Sequence, residues 1–170
     1  MRQRVVSMFV AALVGPVCLA AYCIAADKID LDKVPEKILA AIKARFPAAE
    51  LKSVEKEVEN GKVVFDVELT EKGRKYELDL LEDGTILEVE KEVALKDFPA
   101  EGPKAIEAKY PKATIKEIME VNKVKDKVET PDHYEVTLEL ADKTSKEVLV
   151  SLDGKTVTEE KAAEPAPTKK

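Results

Sequence analysis

Tryptophan is absent from this 170-residue chain, histidine occurs once, and both cysteines, Cys18 and Cys23, fall within the first 26 residues. The chain beyond residue 26 therefore has no disulfide framework and no thiol chemistry. The lone histidine, His133, stands between Asp132 and Tyr134 with no cysteine or patterned serine to serve, so nucleophile–base catalysis has no partner set. One histidine also gives no metal-ligand spacing. EF-hand, Walker and GxGxxG patterns are missing, which leaves calcium, nucleotide and dinucleotide sites without motif support. No catalytic residue, cofactor or metal ligand is assigned on these grounds, and a non-enzymatic protein is expected.

Basic charge is also in the minority. The chain carries 28 Lys+Arg against 34 Asp+Glu, a net −6 that becomes −8 without Arg2 and Arg4. That balance argues against nucleic acid or an anionic membrane as a partner. The one long apolar run, Val5 to Ala26 behind the basic Met1-Arg2-Gln3-Arg4, reads as a Sec signal peptide, residues 1–26. Cleavage is expected after Ala25 or Ala26. The alternative is an uncleaved anchor, since the run is about long enough to cross a bilayer. Export predicts a periplasmic or secreted protein, free of the membrane after cleavage. A mature chain of 144 residues (170 − 26) without disulfides must be held by its core, and its length is sufficient for that. A monomer is expected. Residues 161–170, KAAEPAPTKK, lack apolar periodicity and read as a disordered tail.

What is present is an internal repeat. Val34-Pro35 is followed by Ile38, Ala41, Ile42 and Phe46-Pro47. Phe98-Pro99 is followed by Ala105, Ile106 and Tyr110-Pro111. Each describes a short helix with proline at its first turn and a stop before the second proline. Strand patterns come next in both copies. Leu51 to Val58 and Ile115 to Val121 alternate imperfectly, which predicts a bulge. Val63, Phe65, Val67 and Leu69 then alternate after the Asn60-Gly61 turn, followed by Tyr76, Leu78 and Leu80, the Asp83-Gly84 turn, and Leu87 and Val89. Tyr134, Val136, Leu138 and Leu140, then Val148, Val150 and Leu152, and Asp153-Gly154 repeat that order. Residues 124–132 (VKDKVETPD) replace the tighter Asn60-Gly61 turn and lengthen one hairpin. The predicted fold is α+β, two tandem repeats at 27–93 and 94–160, each one helix packed on a four-stranded antiparallel sheet. Carboxylates at Asp66, Glu68, Glu77 and Asp79 alternate onto the polar face, where solubility alone would put them.

Phe46-Pro47 and Tyr110-Pro111, the strands Phe65 to Leu69 and Tyr134 to Leu138, and the turns Asp83-Gly84 and Asp153-Gly154 resemble the PepSY-like family, including the tandem domains related in fold to β-lactamase inhibitory protein. The resemblance implies an extracytoplasmic binding or inhibitory role without catalysis, and no particular partner. Protein inhibitors anchor on aromatics, yet Phe46 with Tyr110 and Phe65 with Tyr134 fall on core patterns. Tyr76, whose counterpart is Lys146, is either core or a contact residue. The candidate partner-binding residues are therefore Tyr76 together with Lys125, Asp126, Lys127, Glu129, Asp132 and His133 of the lengthened loop, which is either a recognition element or a neutral insertion. Two functional readings result: a protein- or peptide-binding module, inhibition included, or a sensor or carrier taking a small ligand or cation on its carboxylate-rich sheet faces.

Overall fold

A computed structural model describes residues 27–59 and 61–159. The expected signal peptide, the C-terminal tail and Asn60 lie outside the described residues. Nine antiparallel strands succeed one another in space in the order of the chain. They are β1 (Asp27–Lys28), β2 (Glu50–Glu59), β3 (Lys62–Glu71), β4 (Arg74–Leu81), β5 (Ile86–Glu92), β6 (Thr114–Lys125), β7 (Val128–Glu139), β8 (Ser145–Ser151) and β9 (Val157–Glu159). Two short helices, α1 (Glu36–Arg45) and α2 (Gly102–Lys109), come after 3-10 turns at Leu31–Lys33 and Leu95–Asp97.

This corrects the predicted α+β fold of two tandem repeats, each with one helix on its own four-stranded sheet: there is one nine-stranded sheet, with two helices as a minor component. The reason lies in β5. Periodicity fixes which side of a strand is buried and says nothing of what borders its edge. An edge left open would present unpaired N–H and C=O groups. Here β5 pairs with β4 on one side and with β6 on the other, Glu88 to Glu92 facing Lys123 to Met119. The expected bulges are found, between Leu51 and Ser53 in β2 and between Ile115 and Glu117 in β6.

Register carries one face across the whole sheet. Leu78 faces Val89, Val89 faces Asn122, and Ile118 faces Val136. All lie on the side taken by the helices. Val34, Ile38, Ile42 and Phe46 of the α1 stripe bury against Val54, Phe65, Val67, Leu69, Leu78, Leu80 and Val89. Phe98 and Ile106 around α2 do the same with Ile118, Tyr134, Val136, Leu138, Val148 and Val150. Burial at about 25 cal/mol per Å² of apolar surface is the main force holding both helices down. Asn122 is buried between the two clusters, and its side-chain amide donates to the Glu120 carbonyl at 3.2 Å. Gly154, at φ +75°, brings the last turn so close to α2 that a Cβ there would sit 2.7 Å from the Gly102 nitrogen. Among the described residues, no helix lies on the opposite side of the sheet.

Candidate functional site

The residues singled out in the sequence divide between the two sides of the sheet. Tyr76 lies on the helix side, half-buried, its ring centroid 4.9 Å from that of Phe46. It is a core residue. Residues 124–132 are not a loop: strand pairing runs to the tip, where Lys125 faces Val128, and only Asp126 and Lys127 turn, at φ 52° and 66°. Val124 packs against the first core and Glu129 pairs with Arg45 of α1. The tip thus ties the second hairpin to the first helix, leaving a groove of about 740 Å³ lined by Ala41, Arg45, Ile86, Val124 and Lys127. Asp132 and His133 belong to the helix-free side. His133 Nδ1 lies 2.9 Å from the Asp132 carboxylate and Nε2 3.2 Å from that of Glu135. The Glu135 hydrogen bond raises the His133 pKa, burial opposes it, and Asp132 adds to the rise.

Beside His133 the helix-free side carries a stripe of carboxylates that sequence reading places on a solvated surface. Asp66 faces Asp79, Glu68 faces Glu77, Glu77 faces Glu90 and Asp79 faces Glu88. Directly opposed like charges destabilise a sheet. Four such pairs in succession over β3, β4 and β5 are therefore a cost that the fold tolerates. From β7, Glu135 joins them: carboxylate oxygens of Glu88, Glu90 and Glu135 lie within 4.8 Å of one another. None is freely solvated, Glu88 being 9% exposed. Burial first, and then the neighbouring acids, raise Asp66 to about 6 and Glu90 to about 9.

Protein cations sit at the margins of the stripe. Lys123 pairs with Glu88. Lys75 bridges Glu77 at 2.7 Å and Glu117 at 3.0 Å, which raises its own pKa although burial, the largest influence, works against it. Of the three clustered glutamates, Glu88 is thus held by Lys123 and Glu135 by His133. A cation would have to compete for both, so the cluster is not assigned as a metal centre. The legible signal is acids at every second position in three successive strands. The proximity of Glu88 to Glu135, 47 residues on (135 − 88), comes from register.

No family model matches the chain, and no curated protein matches it. Solved structures do. A protein of Bacteroides eggerthii provisionally assigned to the periplasm superposes with a TM-score of 0.54 at 12% identity, over 71% of this chain and 84% of its own. A DUF2874 family protein of Bacteroides uniformis gives 0.53 at 15% identity, over 71% and 83%. A BLIP-like protein of Bacteroides fragilis gives 0.49 at 17% identity, over 78% and 89%. The first two likenesses carry the fold, and none extends to the PepSY-like family itself.

Proposed function

We propose that this chain is an exported, non-catalytic binding module of the periplasm that acts as a monomer and takes a basic peptide, or a basic patch of a protein, on the helix-free side of its sheet. The observation that carries this reading is the helix-free stripe of Asp66, Glu77, Asp79, Glu88, Glu90 and Glu135, five acids from β3, β4 and β5 and one from β7. Export is supported by the basic and apolar pattern of residues 1–26 and agrees with the provisional periplasmic assignment of the B. eggerthii structure.

Recognition on this side is electrostatic. Phe65, Tyr76 and Tyr134 face the helices, and Phe46, Phe98 and Tyr110 belong to the helix layer. Among the described residues the helix-free side therefore lacks the aromatic anchors that interface hot spots favour, which weighs against tight pocket-filling inhibition. Complementary charge gives speed and selectivity, and it weakens with salt.

The test is fluorescence anisotropy of a labelled Lys/Arg-rich peptide with residues 27–170, which contain every described strand and helix. Asp66→Asn with Glu77→Gln and Asp79→Asn should weaken binding at least about tenfold, and 0.5 M salt should do the same, while Lys125→Ala leaves it unchanged. A rise in melting temperature with calcium or zinc alone, and none with the peptide, would move the reading to a cation carrier.

A further inference from the structure

The middle of the stripe holds more carboxylate than its neighbours can neutralise. Glu90, on β5, faces Glu77 of β4 and has Asp79 diagonal to it, Glu88 and Glu92 along its own strand, and Glu135 beyond β6. On β6 it faces Val121, fully buried, while Met119, 4% exposed, faces Glu92 and is diagonal to Glu90. Farther out stand Asp66 and Glu68 of β3, Glu117 of β6 and His133 of β7. The nearby cations already have partners: Lys123 is on Glu88, Lys75 on Glu77 and Glu117, and His133 on Glu135 and Asp132. A carboxylate pressed against apolar side chains and ringed by like charge is stabilised by keeping its proton.

We propose that the stripe is a proton store: Glu90 is a neutral carboxylic acid in the folded protein at neutral pH, and the helix-free side reaches its full negative charge only when that proton leaves. Glu88 and Glu135, whose carboxylate oxygens lie within 4.8 Å of those of Glu90, add like charge beside it and so favour its neutral form. The direction found for Glu90 agrees with this placement. On the binding reading above, and resting on it, a basic group docked on the stripe displaces the proton, so binding strengthens with rising pH and weakens in acid.

The experiment is a carboxyl-carbon NMR titration of residues 27–170 from pH 4 to 10, in the presence of a chelator. The Glu90 side-chain carbon should titrate at least about two pH units above the ordinary glutamate value. Glu77→Gln should bring the Glu90 midpoint down. A Glu90 midpoint at the ordinary glutamate value overturns the proton store, whatever the peptide does. An unmoved midpoint in Glu77→Gln overturns the shared-charge origin. A high Glu90 midpoint without peptide binding sustains the store and rejects the binding reading instead. Glu90→Gln, which mimics the protonated acid, should fold and show a flatter dependence of stability on pH than the parent. An equal dependence counts against the proposal.

Discussion

Lys91 stands on β5 where Asp27 stands on β1: Asp27 faces Lys56 on β2, and Lys91 faces Glu120 on β6, both members of the second pair lying sixty-four residues on (91 − 27 = 120 − 56). The hydrogen bond from the Ile29 nitrogen to the Val54 carbonyl returns as that from Val93 to Ile118, each at 2.8 Å. β5 therefore closes the first half of the sheet and opens the second. It cannot leave either without breaking both.

Because β5 belongs to both halves, the sheet should unfold as one unit. Leu78→Ala in the first core and Leu138→Ala in the second, at fully buried sites, should each cost about 3 kcal/mol. Urea unfolding followed by tyrosine fluorescence and by circular dichroism should give superimposable single transitions in both variants. Two separated transitions would mean that the halves are independent.

Gly73 and Gly154 share a left-handed backbone, φ 78° and 75°, with different surroundings. A Cβ at Gly73 meets nothing within 4 Å, whereas at Gly154 it meets the Gly102 nitrogen at 2.7 Å and the Pro99 Cβ at 2.9 Å. Gly73→Ala should cost about 1 kcal/mol through backbone strain alone. Gly154→Ala should cost about 2 kcal/mol more, because α2 must move. Chemical denaturation of the pair measures the difference.

The Arg45–Glu129 pair joins side chains that are 41% and 30% exposed. Its contribution to global stability should stay below about 1 kcal/mol in a double-mutant cycle. Its effect should be local: in Glu129→Gln, amide exchange at the hairpin tip should speed up while that of β3 and β4 is unchanged.

Stability should peak in mild acid. Asp66 is raised from 3.8 to about 6, by burial before its acidic neighbours, so the folded state holds that proton more tightly. Its contribution is complete below about pH 3.8 and is lost as pH rises through 6. The raised His133 acts in the same sense, present below 6.5 and lost above its folded value. Asp142 and Asp153 act oppositely: turn hydrogen bonds lower them, and their contributions fade as pH falls below 3.8. Melting temperatures from pH 3 to 9 should therefore rise and then fall, and Asp66→Asn should flatten the alkaline limb.

Periodicity and proline placement make the helices, the β3, β4, β7 and β8 strands and the Gly84 and Gly154 turns readable, because each is decided within about a dozen residues. Even the bulges in β2 and β6 show as broken alternation. Neighbourhood is hidden. Nothing local in Ile86–Glu92 says that its far edge will meet Met119 to Lys123, so one sheet reads as two. Pro131 and the charges around it make residues 124–132 look like a loop, although strand pairing continues past a one-residue bulge between Val121 and Asn122 out to Lys125 and Val128. Tyr76 can be placed only once Phe46 is beside it. The stripe is half visible: Asp66, Glu77 and Asp79 fall on the polar side by alternation, but their crowding with Glu88, Glu90 and Glu135 depends on register.

Spatial order identical to chain order has a consequence for assembly in time. For a chain delivered N-terminus first, each strand can add to a border already built, and none has to wait for a distant partner before its backbone is satisfied. The longest intervals between paired strands, Lys28 to Glu50 and Glu92 to Thr114, are those that carry α1 and α2, so the chain occupies each delay by making the helix that will cover the strands to come.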